Sequence, residues 1–86
     1  MKVTVKYFAS IRESIGQGSE VLQTSATTLG QLRGELIARG GAYADSLDAA
    51  FKGKTLRMAL NQDMSDDAAL LLEGCEVAFF PPVTGG

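Results

Sequence analysis

One sustained helical stripe lies in this sequence between two groups of strand-like segments, and that order limits the fold more than any other feature. Leu29, Leu32, Leu36 and Ile37 fall on one face of a helix opened by Thr27 or Thr28 and ended at Gly40-Gly41. Gly30 and Gly34 each weaken it by about 1 kcal/mol relative to alanine. Before the helix, Lys2 to Phe8 alternates, with Val3, Val5 and Tyr7 on one face and Lys2, Thr4 and Lys6 on the other. Glu20 to Thr24 forms a second strand, hairpin-linked to the first across a short helix or turn over Ser10–Ile15, with Ser10 as N-cap and Gly16 as stop.

After the helix, Ala42 to Phe51 repeats a shorter helical pattern, with Leu47 and Phe51 on one side, and Lys52-Gly53-Lys54 turns the chain. Leu56, Met58 and Leu60 then alternate with Arg57, Ala59 and Asn61 as a third strand, closed by a turn at Asn61-Gln62-Asp63. Asp66 to Leu72 fits either a helical turn or a short edge strand. Glu76 to Phe80 is the last strand, and Pro81-Pro82 ends it because proline cannot donate to a ladder. Strands with one polar face meet a helix on one side and water on the other. The expected class is α+β: a β-grasp, ubiquitin-like roll with a mixed sheet packed on one main helix. Residues 1–82 make the domain, and residues 83–86 a flexible tail ending in Gly-Gly.

Composition narrows the chemistry. The 86 residues contain no histidine, which removes Ser-His-Asp and Cys-His catalysis and most zinc sites. Cys75 is the only cysteine, so no disulfide forms within the chain, and a cytoplasmic setting is the default. The net charge is −2 with scattered basic residues, which argues against nucleic acid as a partner. No apolar run is long enough for a membrane helix. Asp63, Asp66 and Asp67 lack the alternation of a calcium loop and read as a solvated acidic turn, so no metal is expected. Cys75 has no cationic neighbour in sequence and reads as a small, partly buried filler. Gly16 and Gly18 do not follow a strand-to-helix phosphate pattern.

What remains is a carrier or binding role, and the tail Val83-Thr84-Gly85-Gly86 is the best instrument for it. Proline after Phe80 keeps that residue extended, and Pro81-Pro82 favours stiff polyproline II geometry. Four extended residues reach about 13–14 Å at most. Two side-chain-free glycines let a terminal carboxylate enter a narrow channel, where another protein can adenylate it and a sulfur nucleophile can displace AMP. The last strand's alternation sends Val77 and Phe79 inward and places Ala78 and Phe80 on the water side with Glu76. The third strand puts Arg57 and Ala59 outward likewise. Phe80, with Pro81 and Pro82, is then an exposed anchor for a partner beside small residues, unless its own prolines cover it. Arg12 is either a partner contact or a local pair with Glu13 or Glu20.

The stretch Glu76-Val77-Ala78-Phe79-Phe80-Pro81-Pro82-Val83-Thr84-Gly85-Gly86 resembles the C-terminal signature of the MoaD family, the small, sulfur-carrying subunits of molybdopterin synthase. Val5-Lys6-Tyr7-Phe8-Ala9 followed by Ile11-Arg12-Glu13 fits as well, and so does Ala59-Leu60-Asn61-Gln62. Cys75 departs from the pattern, which more often has an acidic residue there. The resemblance implies a β-grasp fold that binds no cofactor itself and is not an enzyme alone. It implies activation by an E1-like adenylyltransferase (MoeB-like) using ATP, and sulfur from a persulfide donor. It further implies insertion of the tail into a large synthase subunit (MoaE-like) in a heterotetramer that converts cyclic pyranopterin monophosphate to molybdopterin. Gly86 would carry the thiocarboxylate, while Gly85, Thr84 and Val83 thread it. The rival readings are a ThiS-like carrier for thiamine or another thiolated product, a protein-conjugating modifier, and a plain binding module.

Overall fold

A computed structural model describes residues 1–48 and 56–81. The elements are β1 (Lys2–Tyr7), α1 (Ala9–Ile15), β2 (Ser19–Gln23), α2 (Leu29–Ile37), α3 (Gly41–Leu47), β3 (Arg57–Leu60), β4 (Asp63–Ser65) and β5 (Glu76–Phe80). The strands form one sheet in the order β2-β1-β5-β3-β4. β1 pairs antiparallel with β2 and parallel with β5, while β3 runs antiparallel to both β5 and β4. The parallel pair requires a crossover, and the helices supply it. The expected mixed sheet on a main helix is therefore the fold.

Alternation explains the core. Val3, Val5, Tyr7, Met58, Val77 and Phe79 point to one face, where Leu29, Leu32 and Leu36 of α2 and Leu47 of α3 cover them. The Tyr7 and Phe79 rings lie nearly parallel, 6.2 Å apart. Thr28 is the N-cap of α2: its hydroxyl accepts from the Gln31 backbone N–H at 3.2 Å, and Gln31 Oε1 accepts from the Thr27 N–H at 2.8 Å. Gly30 has a packing reason. A Cβ there would lie 2.8 Å from the Asp67 Cβ, because the Asp66–Leu72 connection crosses the start of α2. Arg33 clasps the same crossing, donating to Asp67 at 3.0 Å and to the Leu47 carbonyl at 3.3 Å.

Several sequence expectations shift. Helix α1 begins at Ala9, one residue before the predicted cap Ser10, and Phe8 takes the N-cap position with no side-chain bond. The chain passes from the β1 ladder straight into the helix through Ala9, whose φ of 51° makes the turn. Gly16 does end α1, in the left-handed region. Helix α2 ends at Ile37, and the glycine pair opens α3 instead. Asp63 belongs to β4, a strand absent from the sequence reading. Asn61 and Gln62, both at positive φ, make a two-residue hairpin turn whose closing pair is Leu60 and Asp63. Asn61 is also tied to β5: its N–H donates to the Glu76 carbonyl at 2.8 Å, and its Oδ1 accepts from the Glu76 N–H at 2.9 Å. Asp66 to Leu72 is neither a helical turn nor a sheet strand. It makes one isolated bridge, Leu70 to Thr28, and drops Leu71 into the core. Phe51 and the Lys52-Gly53-Lys54 turn lie outside the described residues.

Candidate functional site

The site to be tested is the end of the sheet from which the tail departs, together with the face beside it that no described helix covers. β5 lies in the middle of the sheet, so the chain leaves at Phe80 from the centre of one end. Because β1 is parallel to β5, the β1–α1 junction sits at that same end. Pro81 is the last described residue; Pro82, Val83, Thr84, Gly85 and Gly86 lie outside the described residues.

Register places the predicted docking residues together. Arg57 stands opposite Phe80, and Ala59 opposite Ala78. One row across this face runs Ser19, Lys6, Ala78, Ala59, Met64. Lys6 pairs with Glu76 at 3.4 Å in the next row. One part of the expectation fails: Ala59 and Ala78 do not meet water. They are 3 % and 5 % exposed, although neither belongs to the core cluster beneath the sheet. A methyl group is short, and in this row the two alanines lie between the long side chains of Lys6 and Met64.

Phe80 is half-buried, and a residue the sequence reading left out lies against it. The Phe8 ring stacks on the Phe80 ring with centroids 4.8 Å apart and planes 10° from parallel. Phe8 is 39 % exposed and Met64 61 %. Strand alternation put Phe8 on the outer face; only the parallel register with β5 could have made it a neighbour of Phe80. Arg12 is tied to Phe8 by its backbone, whose N–H donates to the Phe8 carbonyl at 3.3 Å, but its side chain runs toward Gly18. Its guanidinium lies over Gly18, with Nε 3.1 Å from where a Cβ would sit. Among the described residues it pairs with neither Glu13 nor Glu20.

Glu20 is engaged elsewhere. Its carboxylate accepts from the Tyr7 hydroxyl at 2.7 Å, Gln17 Nε2 at 3.0 Å and Arg39 Nη1 at 3.0 Å. The Arg39 guanidinium also sits 4.8 Å over the Tyr43 ring. Burial, reinforced by the bond to the Glu20 carboxylate, pushes the Tyr7 phenol well above its ordinary range, so Tyr7 is a fixed neutral donor. Cys75 is buried in the core. Asp67 pairs with Arg33, and among the described residues no group of three or more His, Cys, Asp or Glu is placed to hold a metal. No described helix is long and apolar enough to cross a membrane.

A five-stranded mixed sheet with its two terminal strands parallel at the centre, wrapped on α2, is the ubiquitin-like β-grasp architecture. Solved structures agree. The small archaeal modifier protein SAMP1 of Haloferax volcanii superposes with a TM-score of 0.77 over 100% of both chains at 22% identity, a likeness of fold. The complex of subunits 1 and 2 of the molybdopterin-converting factor from Helicobacter pylori contains a chain matching with a TM-score of 0.65 at 25% identity, again over 100% of both. The profile of the ThiS family matches residues 5–86, and the chain belongs to that family. Two relatives named molybdopterin synthase sulfur carrier subunit align over 84 residues, 98% of this chain and 99% of their own: that of Haemophilus influenzae at 38% identity and that of Escherichia coli at 37%.

Proposed function

We propose that this chain is the sulfur carrier of a molybdopterin synthase, with the carboxylate of Gly86 as its reacting group. The observation that supports this most is the alignment at 38% identity over nearly the whole length with a protein of that name. In this reading an E1-like, MoeB-like enzyme joins the Gly86 carboxylate to AMP and releases pyrophosphate from ATP. The terminal sulfur of a persulfide attacks the adenylated carbonyl and AMP leaves. A thiol then cleaves the resulting acyl disulfide, leaving a thiocarboxylate on Gly86 and a disulfide on the donor side. The large, MoaE-like subunit takes the tail, and the thiocarboxylate gives its sulfur to the dithiolene of molybdopterin. The chain has no histidine to act as a general base near neutral pH, so acid–base work falls to its partners.

The domain's part is presentation. Phe80, Pro81 and Pro82 form the base of the tail, and Ala78, Ala59 and Arg57 the adjoining face; Arg12 adds a charge from α1. Phe8 joins this face through its stack on Phe80. Assembly as a heterotetramer and a cytoplasmic location complete the proposal. The test is an intact mass after incubation with the activating enzyme, ATP and a sulfur source. We expect one oxygen to be replaced by sulfur, and we expect deletion of Gly86 to abolish both this adduct and molybdopterin formation. The protein unchanged in mass, with Gly86 dispensable for synthesis, would sink the reading. A carrier for thiamine would gain the same mass and fail the synthase assay.

A further inference from the structure

We infer that the free edge of β2 is a self-complementary interaction surface, along which two copies of this chain pair antiparallel with Val21 on the two-fold axis. The inference does not depend on the sulfur-carrier reading, because it concerns the side of the sheet away from β5 and β3.

Antiparallel strands exchange hydrogen bonds at every second residue pair, so alternate residues of an edge strand point their N–H and C=O groups away from the sheet. Two bonds fix which residues these are. The Tyr7 N–H donates to the Gly18 carbonyl at 2.9 Å, and the Thr24 N–H to the Met1 carbonyl at 2.8 Å. The register is unbroken between them, so Gly18, Glu20, Leu22 and Thr24 face β1, and Ser19, Val21 and Gln23 face outward. Among the described residues no backbone bond engages those three outward positions.

Sheets ordinarily blunt such an edge with charge, proline, a bulge or brevity. The opposite edge is blunted. β4 has three residues, stands between Asp63 and Asp66, and its Ser65 hydroxyl donates to the Asp63 carbonyl at 3.0 Å. β2 carries none of these devices. Its outward residues are uncharged, and the central one, Val21, is 58 % exposed.

The order of residues along β2 fits a second copy of itself. Turning the strand about an axis through Val21 sets Val21 against Val21, Ser19 against Gln23 and Glu20 against Leu22, an isologous contact in which no like charges meet. The two valines cover each other on the open face, and the half-buried Leu22 gains cover on the other. Glu20 asks nothing of the second copy, since Tyr7, Gln17 and Arg39 already hold it. Across the seam Lys6 of one copy and Lys2 of the other share a row, because they pair with Ser19 and Gln23. Three strand spacings, about 14 Å, separate them, which exceeds the Debye length of about 8 Å at physiological salt. The result is a continuous sheet in which β5 and β3 stay open in both copies. Two five-residue strands bury far less than the ~1,200 Å² of a stable interface, so the dimer is weak, with a Kd on the order of 1 mM.

Sedimentation equilibrium and NMR diffusion read this association directly. We expect the wild type to pass from monomer to dimer around 1 mM. Val21→Pro removes only an outward N–H, and Val21→Lys sets two cations on the axis; each should raise the Kd at least about tenfold. The lysine variant keeps the test readable if the proline disturbs the strand. Register is read separately by cross-linking. Val21→Cys brings two Cα atoms to about 5.5 Å, within disulfide range, whereas Ser19→Cys leaves them about 14 Å apart. On mild oxidation the first should give a disulfide-linked dimer and the second should not; Cys75 is buried and takes no part. A wild type still monomeric at about 2 mM, or equal cross-linking of the two cysteine variants, would overturn the inference. So would a monomer whose Val21→Lys variant loses affinity for the large synthase subunit, since the edge would then serve a partner's strand.

Discussion

The two faces of the sheet are built from different stock. The covered face carries Val3, Val5, Tyr7, Met58, Val77 and Phe79, all buried against the leucines of α2 and α3. The open face carries Thr4, Lys6, Glu76, Ala78, Ala59 and Met64, with the Phe8–Phe80 stack at one end. Neighbouring residues of one strand, Phe79 and Phe80, therefore do different work. Phe79 is fully buried; among the described rings Phe80 packs on Phe8. In so short a chain the covered face supplies most of the apolar burial that folding needs.

The sharpest way to break that comparison is to truncate each ring in turn. Phe79→Ala should lose about 3–5 kcal/mol in urea or guanidinium unfolding, enough to unfold much of a domain this small. Phe80→Ala should lose no more than about 1 kcal/mol of stability, since its ring lies outside the core. It should instead weaken binding to both the large synthase subunit and the activating enzyme by about 2 kcal/mol, read by titration calorimetry. Equal losses of stability would erase the distinction between the faces, and unchanged affinity for both partners would remove Phe80 from the docking surface.

Period-two alternation made the covered face readable from sequence, because the side chains of Val3, Val5, Tyr7, Val77 and Phe79 all obey it. The open face was readable only as a direction. Alternation says which way Ala59 and Ala78 point, not that Lys6 and Met64 flank them, since that follows from pairings between distant segments. Met64 was missed for a related reason: β4 has three residues, too few to show a period. The closing residue of its turn, Asp63, looks like any turn former. Phe8 was missed because its neighbour lies some seventy residues away across a parallel pairing. The capping of α2 was legible to Thr27 or Thr28, being local chemistry, and the structure gives it to Thr28. Gly30 was legible only as a weakness, and its use appeared once Asp67 was seen to cross it. The tail's character rests on its sequence and its family.

The smallest expected effect lies within the covered face, at the one polar atom it contributes to a network. The Tyr7 hydroxyl donates to Glu20, which Arg39 and Gln17 also hold. Tyr7→Phe removes one donor while Glu20 keeps the others, so the loss at neutral pH should be about 1 kcal/mol. The pH dependence is the better discriminator. Burial and the Glu20 carboxylate raise the folded-state pKa of Tyr7 above that of an unfolded tyrosine, about 10. Below that value both states hold the proton and the contribution is fully present. Above it the unfolded chain loses the proton while the native one keeps it, so stability falls as pH rises. The wild type should therefore lose stability above about pH 10 more steeply than Tyr7→Phe, and the difference between their unfolding curves should shrink as the pH rises. Parallel curves through that range would mean that the phenol ionises as freely in the fold as outside it, and that Glu20 does not hold it.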